Sequence, residues 1–316
     1  MNLHHLRLFA AVVDQGGFTK AAAHLGLSQP AISKSLAELE RRLNVRLIER
    51  RGRSARLTDA GRTLHARARE IFGVEQLAER ELREIRGLKR GRLRVAATPA
   101  IATYLLPPLL ARFHRRRPAA RVVAMASKGT TVAKLLRESR VDVALSDEPI
   151  EDDRIETRKW TDDELVVIAP HDHPLAGAPA LSAGELGQWT FLVDDPSSST
   201  YALVDRELSA IGVRLRKTVR LGGTEMIKQA VAAGLGLAIV SRAAAADQLA
   251  LGRIVTLSVD GLVIRRPLLR LRLRGRDRGI SPASREFELL LDESADTGVA
   301  ADATGISDSP PGAAMP

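Results

Sequence analysis

Residues 18–43 constrain the fold more than any other stretch, because two helical patterns lie there almost end to end. A short helix capped by Thr19 is predicted to end at Gly26, which readily takes the left-handed backbone that closes a helix. Ser28 is a good N-cap for a second helix, and Pro30 fits its first turn. The apolar residues of this second helix recur at spacings of four, three and four and predict one buried stripe: Ile32, Leu36, Leu39 and Leu43.

The face opposite this stripe is polar at the N-terminal end of the second helix. Two helices joined by a turn of three or four residues, the second with an exposed polar end, are typical of the helix-turn-helix that enters the DNA major groove. We expect this helix to contact DNA through Ser28, Gln29, Pro30, Ser33 and Lys34. Gln29 and Ser33 suit base edges and Lys34 suits a phosphate. On this stretch alone, an ordinary helical hairpin with a solvated face is the alternative.

A basic turn around Gly52 follows the second helix and is flanked by two short apolar patterns. Two strands around such a turn would form a wing beside the helix-turn-helix. Arg50 and Arg53 are the expected wing contacts, since arginines bind phosphates and are attracted to a narrow minor groove. A solvated basic hairpin is the alternative.

The positive charge of the chain is concentrated at its N-terminal end. The net charge is +10, and residues 1–69 hold 13 lysines and arginines against five acidic residues, whereas the rest is nearly balanced. A positive field on one fifth of a chain points to a polyanionic partner for that segment.

Several classes of protein are excluded or made improbable by composition. The chain has no cysteine, so it has neither disulfides nor thiolate chemistry, which fits a reducing cytoplasm. It has no long apolar run and no signal-peptide pattern at its start, so we expect a cytoplasmic protein with no membrane partner. Aromatic residues make up only 3%, too few for a stacking platform for single-stranded nucleic acid.

The remaining patterns predict four segments. Residues 1–58 would form the winged helix-turn-helix, and residues 59–89 a linker helix capped by Thr58, with an apolar seam suited to a partner helix in a dimer. Packing of that seam on its own chain is the alternative. Residues 90–293 alternate between strand and helix patterns, which predicts parallel sheets in two α/β lobes with two strand crossings and a cleft. Residues 294–316 are small and polar, and we expect a disordered tail. The seam residues are Leu64, Ala68, Ile71, Ala78, Leu82 and Ile85.

The N-terminal segment closely resembles the LysR-type transcriptional regulators, and residues 2–292 are similar to that family throughout. The matching positions include Phe9, Gly16, Phe18, Ala21, Ala22, Leu25, Ser28, Gln29, Pro30, Ala31, Ser33, Leu36, Leu39, Glu40, Leu47, Leu57, Thr58 and Gly61, and later Val141 to Leu145 and Ala233 to Ala238. The resemblance implies a mainly α-helical winged helix-turn-helix with a long linker helix, followed by an α/β two-lobed effector domain like the periplasmic binding proteins. It also implies a bacterial, non-enzymatic homodimer or homotetramer whose promoter binding responds to a small ligand.

Ligands in hinged α/β clefts bind where strands end and helices begin, and backbone N–H groups there favour anions. We therefore expect a small carboxylate or inorganic anion as effector, and we expect no metal and no cofactor. Each hydroxyl could instead serve only as a helix cap. The candidate effector residues are Thr98, Gly129, Thr130, Thr131, Ser198, Thr200 and Thr224.

Two other functions stay open on the residues alone. One is an α/β small-molecule-binding or hydrolytic enzyme with a fused helical domain, although the chain has no G-x-S-x-G nucleophile motif. The other is an architectural DNA-binding protein without an effector.

Overall fold

The computed structural model describes residues 1–51, 54–85, 91–178, 180–274 and 281–297. The chain divides into two compact units. The first comprises Met1–Leu88 together with Arg137–Arg140, and the second comprises the other residues.

The first unit is a winged helix-turn-helix followed by a long helix. Its strands β1 and β2 are antiparallel, with Ile48 opposite Leu57, and they form the predicted wing. Phe9, Ile32 and Leu36 lie in the core between the helices. The elements are α1 (Leu3–Asp14), α2 (Phe18–Leu25), α3 (Gln29–Leu43), β1 (Ile48–Arg51), β2 (Ser54–Leu57) and α4 (Asp59–Ile85).

The ends of α3 follow the predicted capping. The Ser28 hydroxyl accepts a hydrogen bond from the Ala31 N–H at 3.4 Å, and Asn44 takes the left-handed conformation at the other end. The prediction for α2 was wrong by two residues: Gly17 is its N-cap. The Gly17 carbonyl already accepts a helical bond from the Ala21 N–H at 3.0 Å, so Thr19 lies inside the helix.

The predicted stripe of α3 is one residue shorter than expected, and the seam predicted along α4 has a packed part and an exposed part. Leu43 is 37% exposed, because it is the last residue of α3 and lies beyond the core that covers Ile32, Leu36 and Leu39. Along α4, the first part of the predicted seam packs on the core of the first unit. This part therefore follows the alternative in which the seam packs on its own chain and not on a partner helix. Farther along, Leu82 is 61% exposed and remains free to meet a partner helix.

Residues Thr58 and Gly61 join α4 to the wing. The Thr58 hydroxyl donates to the Arg46 carbonyl at 2.7 Å and accepts from the Gly61 N–H at 2.9 Å, so it caps α4 as predicted. A β-carbon at Gly61 would collide with the backbone carbonyl of Leu47. Only glycine therefore lets α4 lie this close to the chain entering β1.

The second unit is built around a seven-stranded sheet in the order β10-β6-β11-β5-β3-β4, with β9 also paired to β6. A separate pair, β7 and β8, is parallel. The strands are β3 (Arg92–Ala97), β4 (Arg121–Ala126), β5 (Val143–Ser146), β6 (Ile155–Pro170), β7 (Thr190–Val193), β8 (Lys217–Arg220), β9 (Ala238–Ser241), β10 (Ile254–Leu257) and β11 (Ile264–Leu273). The helices are α5 (Leu106–Arg116), α6 (Gly129–Arg137), α7 (Ala183–Leu186), α8 (Ser199–Ala210), α9 (Thr224–Ala232), α10 (Arg242–Ala250) and α11 (Pro282–Thr297), and a π-helical turn spans Ile101–Leu105.

The prediction of parallel sheets is wrong in one respect, because the main sheet contains both parallel and antiparallel strand pairs. β3 pairs in parallel with β4 and β5, whereas β6 and β11 run antiparallel from Leu165 opposite Ile264 to Ile155 opposite Leu273. These two long strands are the predicted crossings. They join one lobe, with β3 to β5, α5, α6 and α11, to a second lobe, with β7 to β10 and α7 to α10.

Helix α11 closes the first lobe and shortens the predicted tail. Phe287 packs edge-on against Phe113, with 5.8 Å between ring centroids. The Trp160 indole N–H contacts the Leu291 carbonyl at 2.8 Å and the Ser294 hydroxyl at 3.2 Å. Ser294 is thus buried in a helix that continues to Thr297, against the expectation that the tail begins at 294. Residues 298–316 lie outside the described part of the chain.

We expect Gly61→Ala to destabilise the winged unit by about 1–3 kcal/mol, because the added methyl group meets a backbone oxygen that moves only with β1. The loss should appear in urea unfolding followed by circular dichroism. Gly184→Ala, which places its methyl group in open space within α7, is the matched control and should have little effect. Equal stabilities of the two variants would contradict the close approach of α4 to β1.

Candidate DNA interface and effector pocket

The polar end of α3 is exposed, as a DNA-reading surface requires. Gln29, Pro30 and Lys34 are exposed, and Ser33 is half-buried. The Gln29 side-chain amide donates to the Ser33 hydroxyl at 2.9 Å, so the two predicted base contacts lie together on one helix face. Ser28, as the N-cap, lies immediately before them.

A carboxylate of α3 binds the backbone at the start of the wing. Glu40 Oε1 accepts hydrogen bonds from the Leu47 N–H at 2.7 Å and the Ile48 N–H at 3.2 Å, which ties the start of β1 to the recognition-type helix. Arg50 belongs to β1, but its side chain lies outside the described residues, as does the whole of Arg53. The expectation for these two arginines therefore stays a prediction.

Two of the predicted effector residues line one cavity in the second unit. Thr200 is in the first turn of α8 and Thr224 is the first residue of α9. Tyr201, Ser241 and Arg266 line the same cavity, together with apolar side chains of both lobes. The cavity measures about 40 Å³, whereas ligand pockets commonly measure roughly 300–1,000 Å³. A metabolite can enter only if the walls move apart.

The other five predicted effector residues do not line this cavity. Thr98 ends β3 and is buried, and its hydroxyl accepts the Asp147 N–H at 3.3 Å. Gly129 is buried at the start of α6, while Thr130 and Thr131 beside it are exposed. Ser198 is the N-cap of α8. Within the described residues, the structure brings Thr200 and Thr224 together and leaves the others outside the cavity lining.

Arg266 is the functional candidate that reading the sequence missed. It lies on β11, is 5% exposed and holds two carboxylates. Its Nε and Nη2 donate to Asp163 Oδ2 at 2.9 and 2.8 Å, and its Nη1 donates to Asp147 Oδ2 and to the Thr200 hydroxyl, both at 2.8 Å. Ser241 donates to the other Asp163 oxygen at 2.7 Å. This network joins β5, both crossing strands and the second lobe beside the cavity.

A second polar contact joins the lobes through Tyr104, in the π-helical turn. Its hydroxyl donates to Glu225 of α9 at 3.0 Å, and the Lys228 ammonium lies 4.9 Å from its ring centroid. Lys228 is fully buried and is paired with Asp247 at 2.9 Å. Burial, and then the hydrogen bond to Glu225, raise the pKa of Tyr104, so the phenol stays protonated and donating at neutral pH.

A winged helix-turn-helix and a two-lobed α/β unit with an internal cavity define the class of ligand-responsive DNA-binding regulators. Residues 3–62 match the family model described as "Bacterial regulatory helix-turn-helix protein, lysR family", and residues 86–295 match "LysR substrate binding domain". The chain belongs to the LysR family of bacterial transcription regulators.

Individual relatives extend this result. The RuBisCO operon transcriptional regulator of Allochromatium vinosum is 35% identical over 296 residues, which cover 93% of this chain and 97% of the relative. Full-length OxyR from Pseudomonas aeruginosa shares the fold with a TM-score of 0.68 at 24% identity, covering 92% of this chain and 94% of that one. The regulatory domain of CcmR from Synechocystis PCC6803, in complex with 2-PG, has a TM-score of 0.58 at 27% identity and covers 66% of this chain and 99% of that domain.

Membership in the family settles the broad alternatives. Its members bind promoter DNA and small-molecule effectors, form oligomers and are regulators rather than enzymes. The fused enzyme and the effector-free architectural protein are therefore set aside. Among the described residues, every helix falls short of the length or the hydrophobicity needed to cross a membrane.

Substitutions on α3 should separate base contacts from phosphate contacts. We expect Gln29→Ala to cost about 1–3 kcal/mol on the preferred DNA site and to leave the salt dependence of binding unchanged, because it removes a contact to a base edge. Lys34→Ala should weaken binding to all sequences and reduce the slope of log K against log salt by about one. Fluorescence anisotropy with specific and scrambled duplexes measures both effects. Identical behaviour of the two variants would count against these assignments.

Proposed function

We propose that this chain regulates transcription of a RuBisCO operon in response to a small anion. The observation that carries the proposal is the 35% identity to a RuBisCO operon regulator along 93% of this chain and 97% of the relative. Such end-to-end similarity includes both the DNA-reading helix and the effector domain. A regulator of this kind acts on the chromosome, so we place it in the bacterial cytoplasm.

The proposed effector is a small carboxylate or phosphate, and 2-PG is the first candidate because CcmR holds it in a domain 27% identical to this one. Thr200 and Thr224 place hydroxyls and helix N-termini at the cavity, a combination that favours anions. Thr98, Gly129, Thr130, Thr131 and Ser198 are proposed as further contacts once the lobes open. Peroxide sensing by a thiol is excluded, because the chain has no cysteine.

Two exposed apolar side chains of α4 support assembly as a homodimer or homotetramer. Val74 and Leu82 are 58% and 61% exposed, and they follow the part of the helix that packs on the winged unit. Apolar side chains at such spacing suit a partner helix. Effector binding would then shift the placement of two recognition helices, to the extent that the effector prefers one arrangement of the lobes.

The target is tested by incubating the full-length protein with fragmented DNA from its own genome and sequencing what it retains. Enrichment of the region upstream of RuBisCO genes is the expected result. Reproducible enrichment of other promoters with none at RuBisCO genes would overturn the target.

The wing is tested with Arg50→Ala combined with Arg53→Ala. We expect the slope of log K against log salt to flatten by about two, because each phosphate contact contributes about 0.9. Arg214→Ala combined with Arg216→Ala removes the same charge from an exposed segment of the second unit and is the matched control. An unchanged slope in the wing variant would show that these arginines do not contact phosphates.

The effector class is tested by thermal unfolding with added 2-PG. A ligand at a hundred times its Kd stabilises the folded state by about 2.7 kcal/mol, so a raised melting temperature is expected. Thr224→Val should reduce the rise, whereas Thr218→Val, on the exposed strand β8, should not. A rise that survives Thr224→Val in full would place the ligand elsewhere.

A further inference from the structure

Two acidic residues after β5 occupy the positions of the cleft that would favour an anion. Asp147 accepts a hydrogen bond from Nη1 of Arg266, the buried cation that lines the cavity. Glu148 places a carboxylate oxygen directly against Gly129, the first residue of α6. One carboxylate therefore lies on a guanidinium and the next lies at a helix N-terminus. Both places attract anions on general grounds.

The two carboxylates on Arg266 are not held equally. Asp163 faces Arg266 directly across the β6–β11 ladder, receives two of its N–H groups and also receives the Ser241 hydroxyl. Asp147 lies in a turn outside the strands and shares Nη1 with Thr200. Of the two, Asp147 is the partner that can leave without breaking strand pairing.

The charge balance also favours the departure of Asp147. Within this network, one guanidinium lies between two carboxylates, and the side chains of all three residues are at most 8% exposed. Burial of an excess negative charge is unfavourable, because the interior screens repulsion poorly and withholds water. Nη1 of Arg266 is thus held by Asp147, and moving this carboxylate from the network into water has a modest cost in free energy.

We propose that Asp147 is an internal occupant of the effector site, and that the anionic group of the effector displaces it and binds Arg266 Nη1 beside Thr200. This inference rests on the proposed function, in which the effector is a small anion. Arg266 is then a specificity-determining residue, because its Nη1 donates charge-assisted hydrogen bonds that favour carboxylate or phosphate oxygens. Displacement of Asp147 also breaks the contact between the segment after β5 and Arg266 of β11, which links binding to the arrangement of the lobes.

The experiment is isothermal titration calorimetry of the full-length protein with 2-PG and, separately, with inorganic phosphate. Asp147→Asn should lower the Kd for 2-PG about tenfold, because an uncharged amide competes less well for a guanidinium than a carboxylate. Asp205→Asn is the matched control: it removes the same charge from an exposed position of α8, outside the cavity lining. It should change the Kd less than about threefold, since general electrostatics alone is involved.

Arg266→Lys keeps the charge but loses the planar edge, and it should weaken 2-PG binding about tenfold or more. Equal gains in Asp147→Asn and Asp205→Asn, or no gain in Asp147→Asn while the wild type binds 2-PG, would overturn the internal occupant and leave the proposed function intact. Binding of inorganic phosphate gained only in Asp147→Asn, with no 2-PG binding in the wild type, would support the occupant and overturn 2-PG as the effector.

Melting curves by circular dichroism accompany each variant. If Asp147→Asn does not fold, Asp147→Ser, which also removes the carboxylate from Arg266 Nη1, replaces it with the same direction of effect and the same control. Its failure to tighten binding of either anion would overturn the proposal.

Discussion

The antiparallel pairing of β6 and β11 is the interaction on which the second unit depends. These strands carry the chain between the lobes, and every other strand of the main sheet except β3 and β4 pairs directly with one of them. Because side chains alternate between faces, a shift of one residue in this pairing would turn Arg266 away from Asp163. The ladder therefore sets the lobes and places the charged network beside the cavity at the same time.

The first unit depends in the same way on short polar contacts to backbone groups. Glu40 holds the start of β1 against α3, and Thr58 holds the chain before β1 against the start of α4. Neither contact involves the exposed end of α3. The side chains of Gln29 and Lys34 at that end therefore take no part in these two contacts.

Local sequence signals made the fold of the first unit predictable. Pairing between distant strands limited how much of the second unit could be predicted. The caps at Ser28 and Asn44 and the stripe of α3 depend on residues within a few positions of each other, which a sequence displays directly. The pairing of β6 with β11 joins residues about a hundred positions apart, so no local pattern specified a mixed sheet. Their places at helix N-termini pointed to Thr200 and Thr224, whereas Arg266 was missed although it shares the buried parity of Ile264 and Leu268 on β11. An arginine at an inward position of an apolar strand is the signal that would have identified it.

The tight seating of Gly61 under the Leu47 carbonyl has a mechanical consequence. No space remains between α4 and the chain entering the wing at this point, so the two move as one rigid body. With 27 residues, this helix spans roughly 40 Å, and tilting it by about five degrees would sweep one end by about 3.5 Å relative to the other. That distance is close to the rise of one DNA base pair, about 3.4 Å.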